Sequence, residues 1–249
     1  DDLVEFTLHE VEEVDFPSGA VLSAEETKDN LCMSCHQGRQ STVSVSARIG
    51  DTPDDEVSDS LGFLNVHYYA AGATRFGTEA KGAYEYDGQE YAGYFDHANV
   101  NSCTDCHGAH RLEVDTESCI ECHEEMEESE DIADIRYNFA DYDGDGDDEE
   151  GVLGEIEALH EMLYEAMQAY AADEVGTGIV YDAHSYPYFF DEEEGRYSSW
   201  TPRLLRAAYN YQYVAKDPGT FTHNPYYIIQ VLQDSLADLG VDVSGMERP

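Results

Sequence analysis

Basic residues are scarce in this chain: 12 lysines and arginines stand against 55 aspartates and glutamates, which gives a formal net charge of −43. A surface with this excess of negative charge repels nucleic acids and anionic membranes, so neither is expected as a partner. It attracts cationic proteins and metal ions instead. Most of the charge has a simpler explanation, because it keeps a secreted or salt-adapted protein in solution.

Long apolar runs are also lacking. No stretch reaches the roughly 18 apolar residues that a membrane-spanning helix needs, so the sequence predicts no membrane span. Disorder is not expected either, because 12% of the residues are aromatic and can build a core. At 249 residues the chain is long enough for one large domain or two ordinary ones. It begins at Asp1 without Met or a leader, as expected of a mature, processed product.

The cysteines number only six, and all of them belong to three Cys-x-x-Cys-His motifs. The motifs are Cys32/Cys35/His36, Cys103/Cys106/His107 and Cys119/Cys122/His123. Two thiols at this spacing can form thioethers with the two vinyl groups of one haem, and the adjacent histidine supplies an axial iron ligand. A single Cys-x-x-Cys could also belong to a zinc knuckle or to disulfides. Because a histidine follows every pair and no cysteine is left over, the sequence predicts three covalently bound haem c groups.

The haem motifs also indicate a compartment. Attachment of haem to this motif takes place outside the cytoplasmic membrane in prokaryotes. The sequence therefore predicts a secreted, extracellular or cell-surface protein, with the periplasm as the second choice. Redox partner proteins or extracellular electron acceptors are the expected partners.

Seven histidines remain as candidates for the second axial position on each iron, since a haem that only carries electrons usually has both positions filled. Three of them lie in the haem-rich half and match the number of irons, so we predict them as iron ligands: His67, His97 and His110. The alternative for any lone histidine is a surface or hydrogen-bonded core residue. We expect that role for one residue, His160. Three others remain as substitutes: His9, His184 and His223. His9 could bind an iron in a neighbouring subunit.

The first half of the chain has few helix signals. Residues 3–14 alternate apolar and polar side chains, which predicts an edge strand. Ser23 and Glu26 form a capping-box pattern that would open a short helix carrying the first motif. Loops and short strands are expected over 50–102, with a hairpin turn at 86–89.

Helices are predicted for the second half. Apolar residues recur at helical spacing over 152–170. Thr201-Pro202 and Asn224-Pro225 are N-cap plus N1-proline pairs, which predict helices over 202–216 and 225–239. The expected fold is mainly α with much irregular structure and a little β. We divide it into a three-haem cytochrome c region, 1–130, and a helical region, 131–249.

The helical region opens with an acidic loop. Asp141, Asp143, Asp145 and Asp147 match the first half of an EF-hand loop, with oxygen ligands at alternate positions. The frame departs from the pattern at its last position, where Val152 stands in place of Glu. Glu150 or Glu155 could close a non-standard shell, and a flexible acidic turn is the alternative. We expect Ca²⁺ in this loop, where it would fix the start of the following helix.

Several stretches of the chain resemble multihaem c-type cytochromes of environmental bacteria and archaea. They are CMSCHQGR at 32–39, NVHYYAAGAT at 65–74, CTDCHGAH at 103–110, DGDGDDEEGVLGEI at 143–156 and TPRLLRAAYNYQYVAKDPGTFTHNPYYIIQ at 201–230. Some cytochromes of this kind are secreted electron-transfer proteins, and some polymerise into filaments with a continuous chain of haems. The resemblance implies that each iron carries two histidines.

We therefore expect an electron-transfer protein, not an enzyme, with closely packed haems of low potential. Self-assembly into a conductive filament is a further expectation. One alternative is a multihaem oxidoreductase with an open, five-coordinate catalytic haem. Another is a haem subunit of a larger respiratory complex.

Overall fold

Helices and irregular segments make up most of the chain in the computed structural model, which describes residues 9–67, 69–108, 114–123, 126–136 and 138–249. Two small antiparallel sheets of two strands each are the β-structure in these ranges. The mainly α expectation is therefore confirmed. None of the helices in these ranges combines the length and the apolar character needed to cross a lipid bilayer.

The elements follow one another in a simple order along the chain. We number the strands and α-helices as they occur. They are β1 (Val14–Asp15), β2 (Val21–Leu22), α1 (Asp29–His36), α2 (Thr42–Ile49), α3 (Ala71–Phe76), α4 (Cys103–Cys106), α5 (Glu117–Ile120), α6 (Val152–Tyr170), β3 (Val180–Tyr181), β4 (Phe189–Phe190), α7 (Pro202–Ala215), α8 (Thr220–His223) and α9 (Pro225–Asp238). Short 3₁₀ turns occur at Gly77–Glu79 and Ser129–Asp134, and a π-helical turn, Ala171–Val175, extends α6.

The N-terminal hairpin differs from the prediction. Residues 3–8 of the expected strand lie outside the described residues, residues 9–13 are irregular, and β1 pairs only with β2. The helix that carries the first motif is present, but the capping box predicted for it is wrong, since α1 begins at Asp29 without a side-chain cap. Ser23 is unavailable as a cap because its hydroxyl accepts a hydrogen bond from the buried Asn30 amide at 2.9 Å.

The segment over 50–102 contains a helix that the sequence did not predict. Small residues at 70–73 allow α3 to pack closely on α1: a Cβ on Gly72 would lie 3.0 Å from the His36 carbonyl oxygen. The described residues of this segment contain no strand. The turn at 86–89 exists, with Gly88 at a φ of +84° and Gln89 N–H donating to the Tyr86 carbonyl at 3.2 Å. The turn is therefore confirmed, but the prediction of a hairpin around it is wrong.

The three long C-terminal helices match the prediction. Helix α6 covers exactly the predicted range, and its apolar stripe is buried at Val152, Ile156, Leu159, Leu163, Met167 and Tyr170. The N-caps are confirmed too: the Thr201 hydroxyl accepts from Leu204 N–H at 3.2 Å, and the Asn224 side chain accepts from Tyr227 N–H at 3.1 Å. These helices pack on one another and form the main core of the molecule.

Buried amides on α7 and α9 hold the half of the chain that carries the Cys-x-x-Cys-His motifs against this core. Gln212 accepts a hydrogen bond from Val66 N–H at 3.1 Å, and Gln230 accepts one from Ala92 N–H at 2.7 Å. Asn210 binds both backbone groups of Tyr84, at 2.7 and 3.1 Å. An irregular segment has unpaired backbone groups, and these side chains satisfy them. The boundary between 1–130 and 131–249 stays a prediction.

Candidate haem centre

The first motif lies on α1, where Cys32, Cys35 and His36 occupy one face at helical spacing. Cys35 is exposed and Cys32 is half-buried. The His36 ring is oriented by its Nδ1 atom, which lies 2.9 Å from the carbonyl oxygen of Tyr69. A histidine that uses one ring nitrogen in this way keeps Nε2 for a metal ion.

The second motif is attached to the first through Asp29, the first residue of α1. Asp29 is 1% exposed, and its carboxylate accepts from the Ser102 hydroxyl at 2.8 Å and from Cys103 N–H at 3.0 Å. Ser102 is also the N-cap of α4, where Asp105 completes a capping box. The helix of the first motif thereby fixes the start of the helix that carries the second motif.

The third motif forms a compact turn. Helix α5 ends at Ile120, and the N–H groups of Cys122 and His123 both donate to the Cys119 carbonyl, at 3.1 and 2.9 Å. This turn places the three motif residues on a short piece of backbone. No disulfide joins any of the six cysteines.

The arrangement of the cysteines does not match a zinc site, in which three or four ligand atoms surround one ion. Burial, helped by the nearby Asp29 carboxylate, raises the pKa of the Cys103 thiol to about 12, and burial with neighbouring Cys119 raises the pKa of Cys106. Within the described ranges, the ligand atoms of no three cysteines or histidines converge within 4.8 Å, whereas one acidic group does.

Two of the motif histidines each lie opposite a second histidine. The ring centres of His123 and His97 are 6.3 Å apart, and those of His107 and His223 are also 6.3 Å apart. A metal–imidazole bond is about 2 Å long and the ring centre lies about 1 Å beyond the nitrogen, so two imidazoles on opposite sides of one ion have centres about 6 Å apart. The residues present therefore fit an iron between each pair.

The pKa values of two of these four rings, His97 and His107, agree with ligation. Burial, and then neighbouring His123, lowers the pKa of His97; burial, and then neighbouring His223, lowers the pKa of His107. A lowered pKa keeps the ring neutral, and the neutral imidazole is the form that binds metals.

His160 provides a contrast within the same protein. Its ring stacks on Tyr211 with the centres 4.1 Å apart and the planes at 8°, and its Nε2 lies 2.8 Å from the Tyr211 carbonyl oxygen. This histidine is packed and hydrogen-bonded as part of the core, which is the role expected of it. In contrast, the ring centres of the two facing histidine pairs lie 6.3 Å apart, which is wider than the 4.1 Å of this stack and leaves room for an ion.

His223 was only a substitute in the sequence analysis, and the structure places it at the haem-rich half. It ends α8, directly before the N-cap of α9, and its Nδ1 lies 2.8 Å from the carboxylate of buried Asp217. Burial acts to lower the pKa of His223, but the Asp217 carboxylate outweighs it and the pKa is raised. The sequence signal was weak, because a histidine far from any motif has no spacing that marks it.

The remaining candidate ligands lie elsewhere. His110 is outside the described residues. His67 lies in a segment that runs beside the first motif, where Arg39 N–H donates to the Val66 carbonyl at 3.2 Å, and it has a φ of +79°. His9 and His184 are exposed.

The acidic loop converges on a buried carboxylate at the start of α6. The carboxylate oxygens of Asp141, Asp143 and Glu155 all lie within 4.8 Å of one another. The Glu155 side chain is fully buried, and its Oε2 accepts from Tyr142 N–H at 2.8 Å and from Asp143 N–H at 3.0 Å. Burial raises the pKa of Glu155 to about 7.

The other two aspartates of the predicted loop do not belong to this group of three. Asp145 and Asp147 are exposed, and each accepts a backbone N–H two residues further along, at 2.7 and 3.0 Å. Glu150 is half-buried.

Comparisons with known proteins point in the same direction as the motifs. No family model matches the chain, and no solved structure matches it. The C-type polyheme cytochrome OmcB of Geobacter sulfurreducens is 24% identical over 257 residues, which cover 83% of this chain and 30% of OmcB. The C-type polyheme cytochrome OmcC of the same species is 24% identical over 258 residues, covering 83% of this chain and 29% of OmcC. The chain therefore spans less than a third of these relatives, and the distant similarity supports a multihaem c-type cytochrome.

Proposed function

We propose that this chain binds three covalent haem c groups and carries electrons between them, with two histidines on each iron. The observation that carries the proposal is the pair of 6.3 Å separations between a motif histidine and a second histidine. The haems supply the redox chemistry when they are bound. The protein supplies the ligands and holds the motifs at fixed spacing, through Asp29 in particular.

The geometry supports a specific assignment of ligands. His97 is proposed opposite His123, and His223 opposite His107. For His36 the proposed partner is His67 or His110, the two sequence candidates that remain. This assignment keeps one of the predicted residues, His97, in the role expected for it and replaces another with His223.

Electron transfer is favoured over catalysis because a filled pair of axial positions leaves the iron no site for a substrate. Two of the three motif histidines have a facing ring at the required distance. An oxidoreductase would need the haem at His36 to be open. That haem therefore decides between the two functions.

The test is the electron paramagnetic resonance and visible spectrum of the ferric protein, repeated on the reduced protein with carbon monoxide. Three low-spin haems and no carbon monoxide shift are expected. His223→Ala should convert about one haem in three to a high-spin form that binds carbon monoxide. The matched control is His184→Ala, which removes an exposed histidine. A wild-type protein with one high-spin haem would favour the oxidoreductase, and an unchanged spectrum in His223→Ala would refute the ligand assignment.

We also propose that Ca²⁺ binds at the acidic loop, through Asp141, Asp143 and Glu155. Within the described part of the chain, Glu155 Oε1 accepts no hydrogen bond, although it is buried. The positive charge of Arg136 lies 3.5 Å from this oxygen and offsets only part of the local negative charge. Hard carboxylate oxygens on a tight loop are the ligands that Ca²⁺ prefers. The ion would fix the start of α6.

The proposed setting is outside the cytoplasmic membrane, with redox proteins or extracellular electron acceptors as partners. The high negative charge supports cationic partners. Filament formation is proposed only from the resemblance to multihaem cytochromes that polymerise. Electron microscopy of the native protein tests it: filaments are expected, and uniformly single particles would refute it.

A further inference from the structure

The buried carboxylate of Asp217 is placed against the ring of a proposed iron ligand. Asp217 is 1% exposed, and its Oδ1 lies 2.8 Å from His223 Nδ1. The same oxygen accepts from Gly219 N–H at 3.3 Å, and the other oxygen, Oδ2, is buried. The Thr74 hydroxyl is a further neighbour of the carboxylate: burial acts to raise the pKa of Asp217, but His223 and then Thr74 lower it. The negative charge is thus directed mainly at the histidine, and little solvent screens it.

The loop around Asp217 is built to hold this arrangement. Thr220 N–H donates to the Asp217 carbonyl at 3.1 Å, and His223 N–H donates to the Gly219 carbonyl at 2.9 Å. A Cβ on Gly219 would lie only 2.7 Å from Cε1 of the His223 ring. Residue 219 must therefore lack a side chain for the ring to take this position.

The ring of His36 has a hydrogen-bond partner of a different kind. The Nδ1 atom of His36 lies 2.9 Å from the neutral carbonyl oxygen of Tyr69. A ring N–H that donates to a carboxylate makes the imidazole a more basic ligand than one that donates to a carbonyl. A more basic ligand stabilises the oxidised iron, and hydrogen bonds of this kind are among the factors that set haem potentials.

We infer that Asp217 is a positioning residue for the ligand His223, and that it holds the potential of the haem bound through His107 below that of the haem bound through His36. This inference rests on the proposed bis-histidine haems. It gives the electron path a direction within the chain, because electrons would leave the His107 haem for a haem of higher potential.

The test is a redox titration of Asp217→Asn, followed by visible spectroscopy. This near-isosteric change removes the charge but keeps an acceptor oxygen. We expect one midpoint potential to rise by about 59 mV, which is a tenfold change in the equilibrium constant for a one-electron couple, while three low-spin haems are retained. Asp217→Glu, which keeps the carboxylate, should leave this midpoint potential close to its wild-type value. The matched control is Asp59→Asn, which removes one exposed negative charge.

Failure of the inference can be told from failure of the proposed function. If His223→Ala produces a high-spin haem but Asp217→Asn shifts no potential beyond the control, the ligand assignment stands and the role of Asp217 is refuted. If His223→Ala leaves all three haems low-spin, the assignment itself is refuted.

A second measurement does not depend on the folding of the Asp217 variants. The haem whose low-spin signal disappears in His223→Ala should not be the one with the highest midpoint potential in the wild-type protein. The highest potential of the three at that haem would overturn the inference.

Discussion

The contact of Asp29 with the second haem motif can be tested by Asp29→Asn. The aspartate accepts from two donors, the Ser102 hydroxyl and Cys103 N–H. An asparagine keeps one acceptor oxygen for Cys103 N–H and places an amide N–H group toward Ser102, whose hydroxyl can turn to accept from it. The substitution therefore replaces two buried, charge-assisted hydrogen bonds by two neutral ones.

The expected cost follows from these losses. A hydrogen bond to a charged group contributes about 1.5–3 kcal/mol and a neutral one about 0.5–1.5 kcal/mol, so the loss of the charge at both contacts should lower the free energy of unfolding by about 2–3 kcal/mol. For a chain of this size each kcal/mol changes Tm by about 2–4 °C, which predicts a fall of about 4–12 °C. The assay is thermal unfolding of the haem-loaded protein, followed by circular dichroism.

A double-mutant cycle tests whether the loss of stability in Asp29→Asn arises at its contact with Ser102. Ser102→Ala removes one of the two donors and the N-cap of α4, so Asp29→Asn should cost about 1 kcal/mol less in this background. Asp59→Asn is the control, because it removes an exposed acidic residue of a very acidic chain and should leave Tm unchanged or slightly higher. The reasoning is refuted if Asp29→Asn unfolds at the wild-type temperature, or if its cost is the same with and without Ser102.

Two further substitutions test the remaining sites. Gly219→Ala should displace the His223 ring, because its Cβ would lie 2.7 Å from Cε1, and should produce one high-spin haem in the resonance spectrum. The control Gly245→Ala has open space at its Cβ, and a low-spin spectrum in both variants would contradict the placement of His223. Ca²⁺ should raise Tm and a chelator should lower it, and Glu155→Gln should abolish this response because it removes the buried charge. Glu157→Gln, on the exposed face of the same helix, should respond like wild type; no response in the wild-type protein would exclude the calcium site.

Local patterns predict a feature when its cause lies within a few residues. The three Cys-x-x-Cys-His motifs predict their cofactor by spacing, and the start of α6 at Val152 follows from its apolar stripe. The N-caps Thr201 and Asn224 were predictable because each is followed by a proline at the first helical position.

The same local reasoning failed where a distant residue competes for a side chain. Ser23 and Glu26 match a capping box, but Asn30 binds the Ser23 hydroxyl and also donates to the Val11 and Glu12 carbonyls. The turn at 86–89 carries no hairpin, because Asn210 from α7 binds both backbone groups of Tyr84, next to that turn. Tertiary hydrogen bonds replaced the strand pairing that composition suggested.

The sequence by itself predicts which residues would attach the haems and supply one ligand to each iron, because the residues of each motif are neighbours in the chain. Only the tertiary structure decided which histidine lies opposite His107. His223 reaches that position because α8 packs on α3, beside the helix of the first motif. The tertiary structure also places Asp217 beside His223, because the folded loop between them holds the carboxylate 2.8 Å from the ring nitrogen Nδ1. The spacing of the residues within each motif is a property of the sequence. The proposed second ligand, and with it the potential of the haem, depends on packing between distant segments.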